Sequence, residues 1–366
     1  MKRIGEDKQD KLGIIPKQFY IERHIYPKWV CRECDIIHQA ATPKQIINKS
    51  IATPELLAHI LISKYADHQP LYRQNIIYQR SGVTIPDATM ADWVGRCGVA
   101  LEPLVSRLHE LLLSEPILHA DETPVSIMKN HVKVGSKSLK KGYVWAYLTP
   151  QHSSLKAVVY DFAESRRNEH PKAFLDKWRG QLVCDDYSGY KFLFHQGVTE
   201  IGCLAHARRK FHELHITGQS IVSIEALTLF RQLYAIEREI DERFEKNTPP
   251  IPRDPQIVRQ IRQEKAKPIA DKLHQWLQEK RQLTTKNASI SKAMDYCLKR
   301  WQALTQYLDD GRLPIDNNWA ENQMRPWALG RKNWLFAGSL RSGQRAANIM
   351  SIIQSARLNG LDVSAY

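Results

Sequence analysis

The pattern of the central sheet is set by eight residues, Ile117-Leu118-His119-Ala120-Asp121-Glu122-Thr123-Pro124. A short apolar run is followed by two acids and a Thr-Pro pair, which is typical of a buried strand that delivers a carboxylate to its end. We therefore predict a strand over 116–121, with Asp121 at its end and the Thr-Pro pair as the chain breaker. Glu122 is expected to face the opposite side, because successive side chains of a strand alternate.

A second apolar run that ends in acids is Leu182-Val183-Cys184-Asp185-Asp186. Asp185 directly ends this run, so we take it as the counterpart of Asp121 and keep Asp186 as the alternative. Any one of these acids could be a helix cap or a surface charge. An acid that ends an apolar strand is less expected, however, and two such strands favour a functional site.

A third acidic stretch is Asp316-Asn317-Asn318-Trp319-Ala320-Glu321, which is typical of a helix start with Asp316 or an Asn as the cap. Glu321 would then lie in the first turns of that helix. Two strand-end aspartates and one helical glutamate suit a site that holds two divalent ions for phosphoryl transfer. We therefore predict that Asp121, Asp185 and Glu321 bind Mg²⁺ or Mn²⁺, since these ions prefer oxygen ligands.

The order of elements after residue 116 indicates the fold class. Strands are expected at 116–121, 143–148, 155–162, 181–185 and 198–204, and helices at 165–178 and 205–215. Three strands, a helix, a strand, a strand and a helix is the order of an RNase H-like α/β domain. In that fold the first and fourth strands are neighbours, so Asp121 and Asp185 would lie side by side.

The whole chain is expected to contain an RNase H-like catalytic domain, an all-helical insertion and an N-terminal helical region. A helix, Gly-containing turn and helix over 71–94 resemble a helix-turn-helix, although any helical bundle has such turns. The expected regions are 1–50, a partial zinc-ribbon-like segment; 51–115, helical and a candidate for DNA binding; 116–220, the first part of the catalytic core; 221–310, the helical insertion; and 311–366, the second part of the core with basic helices.

Charge and composition restrict the class of protein. Lys and Arg total 53 against 39 Asp and Glu, a formal net charge of +14. We interpret this excess as nucleic-acid binding, and a basic surface without a specific ligand is the alternative. No apolar run is long enough to span a membrane, and the first residues lack the apolar core of a signal peptide. The six scattered cysteines favour a reducing, cytoplasmic setting.

The N-terminal segment contains one CxxC pair, Cys31 and Cys34. One such pair supplies only half of a tetrahedral zinc site, and no second pair follows at ribbon spacing. We therefore do not expect Zn²⁺ at Cys31 and Cys34. The alternative to a metal site is a pair of free thiols in a truncated or decayed ribbon.

The C-terminal stretch is basic, with no acid between Asn322 and Gly360. We expect Arg325, Arg331 and Lys332 to contact DNA, because they follow Glu321 closely. Aromatic residues are interleaved with them, and two interpretations stay open: the rings stack on bases, or they belong to the core. These aromatic residues are Trp327, Trp334 and Phe336.

These stretches together resemble the IS66-family transposases. The matching motifs are HADETP at 119–124, VCDDYSGY at 183–190, GCLAHARRKF at 202–211, DNNWAENQMRPWALGRKNWLFAGS at 316–339 and GQRAANIMSIIQSARLNG at 343–360. The resemblance runs from about Ile14 to the C-terminus. It implies a DDE domain in which the family aspartates fall on Asp121 and Asp185 and the family glutamate on Glu321.

The basic run after the fifth strand belongs to the same resemblance. Cys203-Leu204-Ala205-His206 is similar to a CxxH motif of several DDE transposases, where it has a structural or DNA-contacting role. We do not expect a zinc site there, since no partner pair is evident. Arg208 and Arg209, which follow directly, are assigned to DNA contact.

The resemblance implies a Mg²⁺- or Mn²⁺-dependent DNA transposase of an insertion sequence, which cleaves the element's ends and joins the 3′-hydroxyls to target DNA. The expected partners are transposon-end and target DNA, further copies of the chain on DNA, and accessory proteins of the same element. The expected location is the bacterial cytoplasm, at the nucleoid. Family members usually carry a longer N-terminal region with an earlier cysteine pair. The alternative is therefore a truncated remnant that binds ends and competes for them without transposing.

Overall fold

The computed structural model describes residues 11–12, 18–41, 43–129, 139–218, 221–246 and 251–366. The N-terminal part contains an antiparallel hairpin of β1 (Lys28–Val30) and β2 (Ile37–Gln39), in which Trp29 lies opposite His38. The turn between these strands contains the CxxC pair. It is closed by a hydrogen bond from the Cys31 N–H to the Ile36 carbonyl.

Four helices follow the hairpin: α1 (Pro54–Tyr65), α2 (Leu71–Gln79), α3 (Asp87–Ala100) and α4 (Glu102–Leu113). The start of α1 is fixed by Thr53, whose hydroxyl accepts a hydrogen bond from the Leu56 N–H at 3.3 Å. A proline also occupies the first turn, where its missing N–H costs nothing. The helical segment predicted for this part of the chain is therefore present.

The central sheet is mixed. Its strands are β3 (Ile117–Met128), β4 (Leu139–Leu148), β5 (Val158–Ala163), β6 (Gln181–Cys184), β7 (Thr199–Gly202) and β8 (Phe336–Ala337). The strand order is β5-β4-β3-β6-β7, and β8 pairs with the far end of β3. β4 is antiparallel to β3 and β5, whereas β6 is parallel to both β3 and β7. The expected neighbourhood of the first and fourth strands is observed.

The prediction that the chain breaks after Glu122 is wrong, because β3 continues through Pro124 as a partner of β4. The pairing of β3 with β6 ends at His119, and its pairing with β8 begins only at Ser126. Pro124 therefore lies where β3 has no second neighbour, and a strand tolerates proline at such an edge. Asp121 lies within β3, just past the end of its parallel pairing.

The remaining helices are α5 (Glu169–Leu175), α6 (Lys191–His195), α7 (Leu204–Gly218), α8 (Ile221–Glu245), α9 (Pro255–Ile261), α10 (Lys267–Gln282), α11 (Ser289–Lys299), α12 (Trp301–Thr305), α13 (Asn318–Trp334) and α14 (Leu340–Leu358). α5 is shorter than the helix predicted over 165–178, and the sequence analysis missed α6. Residues 130–138, between β3 and β4, and residues 247–250, between α8 and α9, lie outside the described residues.

Both faces of the sheet are covered. One hydrophobic cluster joins α1 and α3 to α13, α14 and one face of β4 and β5. A second cluster contains α8 to α12 and reaches the sheet through Val183 and Ile201, and a third covers the opposite face with α4 and α5. Among the described residues, no helix is both long and apolar enough to cross a bilayer.

Candidate active site

Parallel strand pairing brings the two predicted aspartates together. Ile117 pairs with Gln181 and His119 with Val183, and the same offset aligns Asp121 with Asp185 just beyond the last pair. Residues two apart on a strand share a face, so both carboxylates project on the same side of the sheet. The negative charge of Asp185 is one of the causes that raise the pKa of Asp121.

The helix α13 brings Glu321 to the same place. Glu321 lies in the first turn of this helix, as the sequence predicted, and its charge also raises the pKa of Asp121. Its carboxylate accepts a hydrogen bond from Arg209 at 3.2 Å, and Nδ1 of His206 lies 3.7 Å from it. The acids from β3, from the end of β6 and from α13 therefore lie near enough for the charges of Asp185 and Glu321 to act on Asp121.

The electrostatics at Asp121 are those of crowded negative charge. Burial raises its pKa well above the ordinary value, and the charges of Glu122, Asp185 and Glu321 raise it further. The Glu122 N–H donates to Asp121 at 2.9 Å and opposes this rise. In the described part of the chain, no basic side chain forms an ion pair with Asp121 or Asp185. This donor set fits a divalent cation, because oxygen ligands and missing counter-charge favour one.

Glu122 faces the other side of β3, as expected. Its side chain is 2% exposed and accepts hydrogen bonds from the Tyr190 hydroxyl at 2.9 Å and from Nε of Arg166 at 2.8 Å. The guanidinium of Arg166 lies 3.9 Å from the ring centroid of Tyr187. Glu122 is thus neutralised by a partner of its own, which distinguishes it from Asp121.

The geometry also separates Asp185 from Asp186. Asp186 is paired with two cations, Lys191 at 3.4 Å and Arg300 at 3.5 Å. The Asp185 carboxylate instead accepts the Tyr187 N–H at 2.9 Å and lies close enough to act on Asp121. These contacts favour Asp185, the residue that directly ends the apolar run.

The basic residues assigned to DNA contact have different surroundings. Arg208, Arg325 and Lys332 are exposed. Arg209 pairs with Glu321 at 3.2 Å. Arg331 donates to Thr123 at 2.9 Å and to the Pro124 carbonyl at 2.6 Å, so it ties α13 to β3.

The tryptophans of α13 belong to the core. Trp327 is 1% exposed, and its ring packs against Tyr160 and Phe162. Trp334 contacts Trp327 edge to face, with the ring centroids 5.9 Å apart. Stacking of Trp327 on a base is therefore excluded, because a ring without exposed surface has no free face to offer.

The outward face of α3 is not basic. It carries Asp87 and Asp92, and Arg96 forms an ion pair with Asp92 at 2.8 Å. The inward face, which includes Trp93 and Cys97, belongs to the cluster shared with α14. These contacts favour a supporting role for the helix-turn-helix-like segment rather than phosphate contact.

Cys203 and His206 of the CxxH motif lie beside Glu321. One potential ligand atom from each of the three lies within 4.8 Å of the others. The Cys203 sulfur accepts the Asn317 N–H at 3.2 Å, and burial raises the pKa of this thiol to about 12. A protonated, hydrogen-bonded thiol is a poor ligand, since metals bind the thiolate.

The sequence analysis missed a contact between Asn317 and the strand of Asp121. The Asn317 side chain donates to the Ala120 carbonyl at 2.9 Å, and its oxygen lies 2.8 Å from Nδ1 of His119. Burial lowers the pKa of His119 to about 4, so the ring is neutral at pH 7. The only signal in the sequence was the position of Asn317 at the helix start, which we interpreted as capping.

Known proteins that resemble this chain define its family. The model described as "Transposase IS66 family" matches residues 49–345, and the one described as "zinc-finger binding domain of transposase IS66" matches residues 1–35. The chain therefore belongs to the IS66 transposase family, as the sequence motifs predicted. This membership supports a transposase role with DNA as partner, and it implies a divalent metal.

Three relatives come from Sinorhizobium fredii. The uncharacterized proteins y4hP and y4jD are 32% and 34% identical to this chain over its whole length. The matches cover 67% of the length of y4hP and 71% of the length of y4jD. The uncharacterized protein y4qI is 33% identical over 98% of the chain and is covered to 66%. The chain thus spans about two thirds of the length of each relative.

The zinc-finger match is at odds with the expectation that Zn²⁺ is absent from Cys31 and Cys34, because it covers both residues. The hairpin turn agrees with the match. Backbone hydrogen bonds from Glu33 and Cys34 lower the pKa of the Cys31 thiol, which favours the thiolate that a metal requires. The sequence interpretation did not anticipate this match, because it judged the CxxC pair alone.

Proposed function

We propose that this protein is a DNA transposase whose RNase H-like catalytic domain cleaves the ends of an insertion sequence and joins the 3′-hydroxyls to target DNA. The observation that supports this most is the alignment of Asp121 with Asp185 by strand pairing, with Glu321 of α13 near enough for its charge to act on Asp121. The strand order β5-β4-β3-β6-β7, with β4 antiparallel, supports the RNase H-like assignment. Membership of the IS66 family supports the reaction class.

Asp121, Asp185 and Glu321 would hold two Mg²⁺ or Mn²⁺ ions. When bound, such ions neutralise phosphate charge and stabilise the attacking and leaving oxygens of a phosphoryl transfer. The chain's own contribution is orientation. Strand pairing fixes the two aspartates, and Arg209 orients the Glu321 carboxylate.

DNA would be held by exposed basic residues around the site. Arg208, Arg325 and Lys332 are exposed on α7 and α13, the helices that carry the Arg209–Glu321 pair. Their charges would hold phosphates and release counterions. Because two ends must be joined in one reaction, we also propose that several copies assemble on DNA at the nucleoid, with accessory proteins of the same element.

We assign 116–220 and 311–366 to the catalytic core, 221–310 to a helical insertion, 51–115 to a helical region that supports the core, and 1–50 to a zinc-binding segment. The packing of α1 and α3 against α14 supports the role of the second region. Within 221–246 and 251–310, the structure describes helices and turns without strands, which supports the insertion.

The test is strand transfer by the purified protein on labelled duplexes from the flanks of its own gene, with Mg²⁺ or Mn²⁺. Asp185→Ala should lower the yield of joined product by about 10³-fold or more, because transition-state charge loses its stabilisation. Asp186→Ala is the matched control and should stay within a few-fold of wild type. DNA binding should survive in both variants.

Strand transfer that persists in Asp185→Ala would contradict the assignment of Asp185 as a metal ligand. If Asp186→Ala were the inactive variant instead, Asp186 would replace Asp185 as the ligand. Wild-type protein that binds the ends without joining them would favour the alternative of a binding-only competitor.

A further inference from the structure

Asn317 is a buried residue between the strand that carries Asp121 and the helix that carries Glu321. Its side chain is almost completely enclosed, with 1% of the residue exposed. The amide nitrogen donates to the Ala120 carbonyl at 2.9 Å. Because the nitrogen faces that carbonyl, the amide oxygen is the acceptor for Nδ1–H of His119 at 2.8 Å. Both contacts fall on the two residues that precede Asp121.

The main chain of Asn317 forms hydrogen bonds with α13 and with the residue that precedes α7. Its carbonyl accepts the Glu321 N–H at 3.1 Å, in the first turn of α13. Its own N–H donates to the Cys203 sulfur at 3.2 Å, at the start of α7. One residue therefore links the neighbour of Asp121, the backbone of Glu321 and the CxxH motif.

Such a link is needed because the three acids are held in different ways. Backbone pairing of β3 with β6 fixes Asp121 relative to Asp185. The start of α13 is not held by strand pairing of this kind. The strand that follows α13, β8, pairs with β3, but only from Ser126 onwards. Side-chain contacts therefore contribute to the distance from Glu321 to the aspartates, and ligands displaced by about 1 Å bind and react poorly.

The chemistry of this position requires a carboxamide. Asn offers one donor and one acceptor on adjacent atoms, and both are used here. An aspartate of the same shape would turn a carboxylate oxygen towards the Ala120 carbonyl and lose the donor. A buried acceptor facing another acceptor is unfavourable, so the helix start would move away from the strand.

We propose that Asn317 is a positioning residue that sets Glu321 at metal-binding distance from Asp121 and Asp185, with His119 and Cys203 holding Asn317 in its orientation. This inference rests on the proposed metal site. It gives a role to the histidine of HADETP, the cysteine of CLAH and the first asparagine of DNNW that capping alone does not explain.

The experiment measures Mn²⁺ binding to the full chain without DNA, from the EPR signal of free Mn²⁺. Asn317→Asp should weaken binding by about tenfold or more, as the loss of outer-shell partners commonly does. Asn333→Ala is the control on the same helix. It removes the contacts of Asn333 with Arg73 and the Leu329 carbonyl, near the opposite end of α13, and should leave binding unchanged.

Thermal unfolding shows whether each variant is folded, and Asn317→Ala replaces Asn317→Asp if the latter is not. A second comparison uses Glu321→Gln as the background. If Asn317 acts through Glu321, adding Asn317→Asp to Glu321→Gln should weaken Mn²⁺ binding no further. The non-additivity distinguishes a positioning role from a general loss of structure.

Two results would overturn the inference. One is a folded Asn317→Asp protein that binds Mn²⁺ as wild type does. The other is an equal loss of affinity with and without the Glu321 carboxylate. Failure of the proposed function would give a different result. Mn²⁺ binding by wild type would then not depend on Asp185, so Asp185→Ala would abolish none of it.

Discussion

Two groups of acids in this molecule have opposite surroundings. In the helical insertion, Glu237 accepts two hydrogen bonds from Arg262, at 2.7 and 2.8 Å, and the arginine side chain is 0% exposed. The same guanidinium also donates to the carbonyls of Tyr307 and Leu313, each at 2.8 Å. Asp121, by contrast, is surrounded by other acids and has no basic partner among the described residues.

The difference indicates which acids serve structure and which serve chemistry. A buried charge with a complete set of partners is stable where it is, whereas one left among like charges raises the energy of the fold. Strongly shifted pKa values of the second kind cluster at functional sites. The predictions below test whether the insertion and the site differ in this way.

The largest effect on stability is expected from Arg262→Ala. It leaves the Glu237 carboxylate and the carbonyls of Tyr307 and Leu313 without their donor, so the free energy of unfolding should fall by about 3–5 kcal/mol. Denaturant unfolding measures it. The matched control is Arg281→Ala, since Arg281 pairs with Asp295 at 2.6 Å in a more exposed place, so its loss should lower the free energy of unfolding much less. A loss of the same small size in both variants would contradict the structural role of Arg262.

At the candidate active site, a substitution is expected to raise the free energy of unfolding rather than lower it. Asp121→Asn, measured with EDTA, should raise the free energy of unfolding at pH 7, because a pKa raised by folding means that the charged carboxylate destabilises the folded state. The raised pKa means that the folded state disfavours the charged carboxylate, and asparagine removes that charge. The Glu122 N–H keeps an acceptor.

The pH dependence checks this explanation. Below about pH 4 the unfolded aspartate is also protonated, so the advantage of Asp121→Asn should vanish there and grow as the pH rises. Saturating Mn²⁺ should stabilise wild type and not the variant. A variant that is less stable than wild type at pH 7 in EDTA would show that Asp121 is not strained by its neighbours.

The smallest effect concerns the exposed cations. Lys332→Ala should weaken DNA binding a few-fold and reduce the slope of log K against log salt by about 0.9, as expected for one phosphate contact. Lys267→Ala, in the insertion, is the control, because Lys267 pairs with Asp271 on the same helix. An unchanged slope in Lys332→Ala would place the DNA elsewhere.

Much of the site could be predicted because its signals are local. An apolar run that ends in an acid indicates a strand whether or not its partner is known, and this was sufficient to place Asp121 on β3 and Asp185 directly after β6. The helix start at Asp316 likewise placed Glu321 in a first turn. The neighbourhood of β3 and β6 was expected because the order of the elements is that of an RNase H-like domain, in which the first and fourth strands are neighbours.

What could not be predicted depends on contacts between distant parts of the chain. Pro124 fits within β3 only because β6 has already ended, and no local pattern reveals that. Trp327 looked available for stacking until the packing of α13 on Tyr160 was known. The contact between His119 and Asn317 joins residues 198 positions apart.

The most direct test of the account is a crystal structure with Mn²⁺ and its anomalous difference map. We predict two peaks among the carboxylates of Asp121, Asp185 and Glu321, with both peaks absent from crystals of Asp185→Ala. Peaks confined to Asp186, or to Cys203, His206 and Glu321, would contradict the proposed metal site.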